Sequence, residues 1–86
     1  MRRVYLYVVF VEADREEDAK KVMQKVRGVD VCLKDQYIDP GADYYCKVYE
    51  YEVSVIVESE EAAEKILSVL PKEGVEYFLK DIGLVD

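Results

Sequence analysis

Histidine and tryptophan are absent from this chain of 86 residues, and cysteine, proline and glycine are scarce. Without histidine the chain lacks the commonest general base and the commonest metal ligand, which excludes Ser-His and Cys-His nucleophile arrangements. A Walker loop, a Rossmann glycine fingerprint and a CxxC pair are missing as well. The sequence therefore predicts a protein that is not an enzyme and uses no cofactor or metal.

Long apolar runs are missing too, since none approaches the roughly 20 residues that span a bilayer. Arg2 and Arg3 precede an apolar segment, Val4–Val11, as in a signal peptide. Acidic residues follow it directly with no small-residue cleavage pattern, so the segment is interpreted as a strand. Two cysteines do not make a disulfide framework. We therefore expect a cytoplasmic setting and no membrane partner.

The charge is strongly one-sided, because 19 acidic residues oppose 12 basic ones and give a formal net charge of −7. Nucleic-acid binders normally carry a basic surface that neutralises phosphates. The sequence therefore argues against nucleic acid as a partner. A negative field keeps a protein soluble and also attracts basic partners.

The length allows one domain, residues 1–86, because domains usually run to about 100–150 residues. Half of the residues are apolar (51%) and 36% are charged, which excludes a disordered chain. Residues 3–12 predict a strand rich in Val, Tyr and Phe. Asp14 and Glu17 then predict a capping box, and Gly28 the end of the first helix.

A hairpin is predicted next, with strands over 29–38 and 44–57 around a Pro-Gly turn at Pro40. Alternation fits a register that places Ile38 opposite Tyr44. The second strand is long, so a bulge or bend is expected in it. The other pairs of this register are Leu33 with Tyr49, Val31 with Tyr51, Val29 with Val53, and Asp35 with Lys47.

Ser59 predicts the cap of a second helix, and 75–82 the last strand. The order strand–helix–strand–strand–helix–strand matches the ferredoxin-like plait, an α+β fold. We therefore expect a four-stranded antiparallel sheet of order 4-1-3-2 with two helices on one face. This architecture hosts many unrelated functions, so function must be argued from a site.

The open face of the sheet is the predicted site. The side of the first strand that carries Tyr5, Tyr7, Val9 and Val11 is assigned to this face, with Phe78 and Ile82 beside it. A half-solvated strand should alternate apolar with polar residues, and this one does not. A contiguous apolar patch usually marks an interface, although tyrosine also favours strands for its fit to a pleated surface.

Three other possibilities have weaker support. RNA-recognition domains share this fold and stack bases on aromatic residues of their central strands, but Glu50 and Glu52 stand where aromatic and basic residues belong. Cys32 and Cys46 are interpreted as two independent free thiols. The spacing of Asp35, Asp39 and Asp43 allows a weak cation site, yet aspartates in turns ordinarily serve local hydrogen bonds.

The sequence thus predicts an acidic protein-interaction module that uses its open sheet face for a protein partner or for its own dimerisation. Alternatives that stay open are a small-molecule-binding regulatory domain resembling ACT domains, an acidic nucleic-acid mimic, and a designed protein without evolved function. ACT domains usually carry glycines after the first strand, where this chain has Glu12-Ala13-Asp14-Arg15.

Overall fold

The computed structural model describes residues 1–39, 41 and 46–85. Its strands form one antiparallel sheet of order β2-β3-β1-β4, which is the predicted order 4-1-3-2 read from the other edge. The plait prediction is therefore confirmed. The Pro40 turn lies outside the described residues, and the predicted pairing of Ile38 with Tyr44 is wrong, because Ile38 pairs with Lys47. In chain order the elements are β1 (Arg3–Ala13), α1 (Glu16–Met23), β2 (Asp30–Ile38), β3 (Lys47–Val57), α2 (Glu60–Leu67) and β4 (Val75–Leu84).

The two helices differ in how they begin. The hydroxyl of Ser59 accepts a hydrogen bond from the Ala62 amide at 3.2 Å, so the predicted cap of α2 is confirmed. The predicted cap of α1 at Asp14 is wrong. Arg15 occupies the N-cap position of that helix, and its side chain makes no capping hydrogen bond.

Helix α1 also ends earlier than predicted, at Met23 instead of near Gly28. The amides of Lys25 and Val26 donate to the carbonyls three residues before them, at 3.2 and 3.1 Å. Such bonds tighten the last turn and end the α-helical pattern. Gly28 follows with a φ of 74°, a left-handed conformation that favours glycine.

The hairpin register differs from the predicted one. Leu33 lies opposite Tyr51 and Val31 opposite Val53, a shift of two residues. Such a shift keeps Val31 and Leu33 on their predicted face, so the hydrophobic pattern before the bulge is compatible with both registers. The bulge lies in β2 at Lys34, not in β3, and it places Asp35 opposite Glu50 instead of Lys47.

The core lies between one face of the sheet and both helices. Helices α1 and α2 contribute Ala19 and Ala63, which are fully buried and small, so large side chains of the sheet fit beneath them. These large side chains come from β1 and β3. The central members of the cluster are Tyr5, Tyr7, Val9, Val11, Tyr49, Tyr51, Val53, Val55, Met23 and Leu67.

The helices cover only part of this face, because each has eight residues whereas β1 and β3 have eleven. An eight-residue helix is about 12 Å long and an eleven-residue strand about 36 Å. The described part of the chain is accordingly elongated, with extents of 46 × 20 × 18 Å. Neither described helix has the length and apolar character that crossing a bilayer requires.

Candidate functional site

The predicted interface residues of β1 lie on the helix-covered face of the sheet, so their assignment to the open face is wrong. Tyr5, Tyr7, Val9 and Val11 are buried under the helices, and Tyr7 has 0% of its surface exposed. Strand β1 is apolar on both faces, so its own pattern does not reveal its orientation. The pattern of β3 reveals this orientation, because the polar residues of β3 alternate with buried ones. Residues directly opposite each other on β1 and β3 share a face, so the buried side of β3 identifies the buried side of β1.

Tyr7 and the partly buried Tyr77 are anchored to α2 through their hydroxyl groups. Tyr7 donates to Oε1 of Glu64 at 3.1 Å, and Tyr77 of β4 donates to Oε2 of the same carboxylate at 3.4 Å. The Tyr7 and Tyr77 rings meet edge to face, with centroids 6.1 Å apart. Burial, followed by the hydrogen bond to Glu64, raises the pKa of Tyr7 far above its ordinary value. Tyr7 is therefore part of the core and is not available to a partner.

The open face carries the other residues of β1, and they too are apolar. We call Val4, Leu6, Val8 and Phe10 the apolar stripe. Phe78 lies opposite Val8, is 53% exposed, and its ring centroid is 5.9 Å from that of Phe10. Ile56, opposite Val4, is 50% exposed. The predicted position of Phe78 on the open face is thus confirmed, while the stripe itself was missed.

Ile82 was also predicted on the open face, and this is wrong. It lies opposite Tyr5, a residue of the helix-covered face. The reason is a bulge in β4, where Lys80 has no direct partner on β1. One extra residue in a strand reverses the faces of all residues that follow it.

The two bulge residues, Lys34 and Lys80, meet at one carboxylate. Lys34 of β2 lies 3.9 Å from Oε1 of Glu52, and Lys80 of β4 lies 3.4 Å from its Oε2. Glu52 belongs to β3 and faces Val8, so the Lys80 side chain crosses β1 on the open face. The three side chains are partly exposed, and such pairs contribute about 0–1 kcal/mol each. They make a charged band across the apolar stripe.

Carboxylates surround the stripe on all four strands. Their charges affect Tyr37, which also lies on this face. Burial is the largest cause that raises the pKa of the Tyr37 hydroxyl, and the charges of Glu50, Asp35 and Asp39 raise it further. The open face is therefore apolar along β1, apart from the charged band of Lys34, Glu52 and Lys80, and acidic at its rim. The register places on it Glu12, Asp30, Asp35, Glu50, Glu52, Glu76 and Asp81.

A groove of about 410 Å³ lies at one end of the open face. Phe10, Tyr37 and Val48 supply its apolar part. Its charged lining residues are Glu12, Asp39, Glu76 and Lys72. Since carboxylates outnumber the single ammonium group, the groove favours a cationic group that also carries apolar surface.

The cysteines are free, as predicted, with Cys32 exposed and Cys46 buried. Burial raises the pKa of the Cys46 thiol, and the nearby Glu12 carboxylate raises it further, which makes the thiol less reactive. Among the residues that the structure describes, no group of three or more Cys, Asp or Glu side chains is placed to hold a metal ion. Asp43, one member of the predicted weak cation site, lies outside the described residues.

No protein-family model matches the chain, and no curated protein matches it either. Among solved structures, the chain is similar to part of the YXEP protein of Bacillus subtilis, described as a dinuclear metal binding peptidase from the M20 family. The identity is 13% and the TM-score 0.39, over 92% of this chain and 24% of that one. The chain thus spans about a quarter of that protein, and a similarity of this level carries no functional argument.

Proposed function

We propose that this chain is a non-enzymatic protein-interaction module whose open sheet face binds a basic, amphipathic segment of a partner protein. One observation carries the proposal: on the side of the sheet away from the helices, the half-buried Val4, Leu6 and Phe10 and the buried Val8 adjoin the half-exposed Phe78 and Ile56, and carboxylates surround this patch. The lack of histidine is the reason for assigning no catalytic role.

The apolar character of the stripe supports an interface. An antiparallel sheet with one solvated face normally alternates apolar with polar residues, whereas β1 presents Val4, Leu6, Val8 and Phe10 to the open side. Phe78 and Ile56 extend the patch onto both neighbouring strands. Contiguous patches of this kind with a polar rim mark interaction sites in soluble proteins.

The charge of the rim selects the partner. Seating a second copy of the chain face to face would bring one ring of carboxylates against another, and like charges placed together cost several kcal/mol. A basic segment is instead attracted by the carboxylates of the rim, which also steer it toward the face from a distance. We therefore assign the face to a basic partner and not to dimerisation.

The groove at the end of the stripe suggests how such a segment is anchored. Lysine and arginine combine an apolar stem with a charged head. The stem would pack on Phe10 and Val48, while Glu12 and Glu76 would pair with the head. One anchoring residue of this kind is typical of interfaces in which a few contacts supply most of the affinity.

The edges of the sheet are poor alternatives for binding a partner strand. Both edge strands, β2 and β4, contain a bulge, and in each the bulge residue is a lysine, Lys34 or Lys80. Bulges and lysines are common means of blocking edge-to-edge pairing. Because both edges are blocked in this way, we assign partner binding to the open face. Because one of the two unpaired cysteines is exposed, we place this interaction in the reducing cytoplasm.

The test is an NMR titration of the labelled protein with a short peptide that alternates lysine and leucine. We expect amide shifts along β1 and β4, and binding that weakens as salt is added. Phe78→Ser should weaken binding by about tenfold or more, as expected for an exposed aromatic anchor. Val69→Ser is the matched control, since Val69 is 51% exposed but lies outside the sheet, and it should bind like the wild type.

Two results would contradict the proposal. One is binding that is equally strong for a peptide alternating glutamate and leucine, because the rim would then play no part. The other is a dimer in light scattering that Phe78→Ser dissociates, because the face would then be occupied by a second copy.

A further inference from the structure

A second cleft lies on the helix-covered side of the sheet, away from the open face. It separates the end of α1 from the edge strand β2 and has a volume of about 420 Å³. This size is within the range of about 300–1,000 Å³ found for small-molecule sites. Met23, Val31 and Leu33 give the cleft apolar walls.

Tyr51 of β3 also lines this cleft and carries an unusual hydroxyl group. The side chain is only 3% exposed. Its oxygen is shielded from solvent and has no hydrogen-bond partner among the described residues. A buried polar group without a partner costs about 1–3 kcal/mol, so it needs an explanation.

The polar groups around the cleft are mostly hydrogen-bond donors. Burial, and secondly the charge of Glu16, raise the pKa of Tyr51, so its hydroxyl stays protonated and able to donate. The Lys20 ammonium and the Gln24 amide line the cleft as well. Among these lining side chains only the Gln24 carbonyl and the hydroxyl itself can accept, so the lining favours an acceptor-rich ligand. The Glu16 carboxylate does not line the cleft but opposes a negative charge near Tyr51, and Lys20 must offset it for an anionic ligand to bind.

The polar residues that line the cleft are able to move. Lys20 lies 3.4 Å from Glu16, but both side chains are exposed, and such a pair contributes about 0–1 kcal/mol. The flexible stem of Lys20 can therefore turn toward a ligand at small cost. Gln24 is the C-cap residue of α1, and its backbone amide donates to the Lys20 carbonyl at 2.9 Å, so a rearrangement there involves its side chain alone.

From these contacts we propose that the cleft between α1 and β2 binds a small amphipathic carboxylate, such as a medium-chain fatty acid. Its chain packs on Met23, Val31 and Leu33, and its carboxylate accepts hydrogen bonds from Tyr51 and Lys20. This site goes beyond the proposed interaction function, because it lies on the other side of the sheet and involves no residue of the open face.

The test uses sodium octanoate as the probe and amide NMR shifts of the intact chain as the readout. We expect shifts that saturate at Met23, Val31 and Leu33. Tyr51→Phe should weaken octanoate binding about tenfold, because one hydrogen bond to a charged group is lost. Tyr49→Phe is the matched control: Tyr49 is a buried tyrosine on the same strand and face that does not line the cleft. It should leave the affinity unchanged.

A second measurement separates a ligand site from a structural role of the hydroxyl. If the hydroxyl is unpartnered in the free protein, Tyr51→Phe should leave the free energy of unfolding unchanged or raise it. A loss of stability in Tyr51→Phe would overturn the proposal, since the hydroxyl would already have a partner. Equal octanoate affinity of Tyr51→Phe and wild type, equal binding of octylamine, or no shifts at the cleft would overturn it as well.

Discussion

The hydroxyl of Tyr7 donates a hydrogen bond to Oε1 of Glu64 over 3.1 Å, joining strand β1 to helix α2 across 57 residues of sequence. This contact requires the side of β1 that carries Tyr7 to face the helices. Tyrosine can be buried when its ring packs in the core and its hydroxyl reaches a partner, and Glu64 supplies that partner. The tyrosines of β1 therefore lie under the helices, and the aliphatic residues between them lie on the open face.

Alkaline pH should destabilise the protein through Tyr7. Because its pKa is raised in the folded state, the unfolded chain releases this proton above about pH 10 while the native protein keeps it. The stability is therefore complete below about pH 10 and falls as the pH rises toward the native pKa. Tyr7→Phe should cost about 1–2 kcal/mol at neutral pH and show a smaller alkaline loss.

Urea unfolding, from neutral pH to about one unit above pH 10, measures both effects. Tyr5→Phe is the control, as another buried tyrosine of the same strand and face. The explanation fails if Tyr7→Phe and Tyr5→Phe lose stability in parallel with the wild type over this range.

A charge placed on each face of the sheet should have opposite consequences. Tyr7→Glu buries an unpaired carboxylate beside Glu64 and should cost more than about 4 kcal/mol, enough to unfold a small domain. Phe78→Glu adds a charge at a half-exposed position and should change stability by less than about 1 kcal/mol. Circular dichroism melts compare the two variants. Similar losses of stability in both variants would contradict the assignment of Tyr7 to the buried face and of Phe78 to the open face.

The bulge lysines should keep the protein monomeric. Replacing both Lys34 and Lys80 with valine removes the charges from the two edge strands and adds β-propensity, so self-association should increase. Light scattering at several concentrations measures it. Lys65→Val on α2 is the control for the loss of a surface charge and should not associate. A double variant that stays monomeric would show that the bulge lysines do not protect the edges.

Gly74 should be the less replaceable of two glycines near β4. Its φ is 75°, and its carbonyl accepts a hydrogen bond from the Glu12 amide at 2.8 Å. Gly74→Ala should therefore cost about 1–2 kcal/mol through backbone strain. Gly83 has no positive φ and no neighbouring atom within 4 Å of an added Cβ, so Gly83→Ala should be neutral or slightly stabilising. Urea unfolding compares the two, and equal effects would contradict this explanation.

The sequence by itself determined the order of the elements and the plait. Period-two strands, amphipathic helices and the Ser59 cap are local signals, because each depends on residues close together in the chain. The exposed position of Phe78 also followed from the alternation within β4 before its bulge.

Only the tertiary structure decided which face of β1 is buried. A strand that is apolar on both sides satisfies the alternation in either orientation, so the choice depends on partners that are distant in sequence. Ala19 and Ala63 leave room for tyrosine rings, and Glu64 accepts hydrogen bonds from the hydroxyls of Tyr7 and Tyr77. The bulges at Lys34 and Lys80 were equally invisible, because one extra residue reverses the faces that follow while leaving the local composition unchanged.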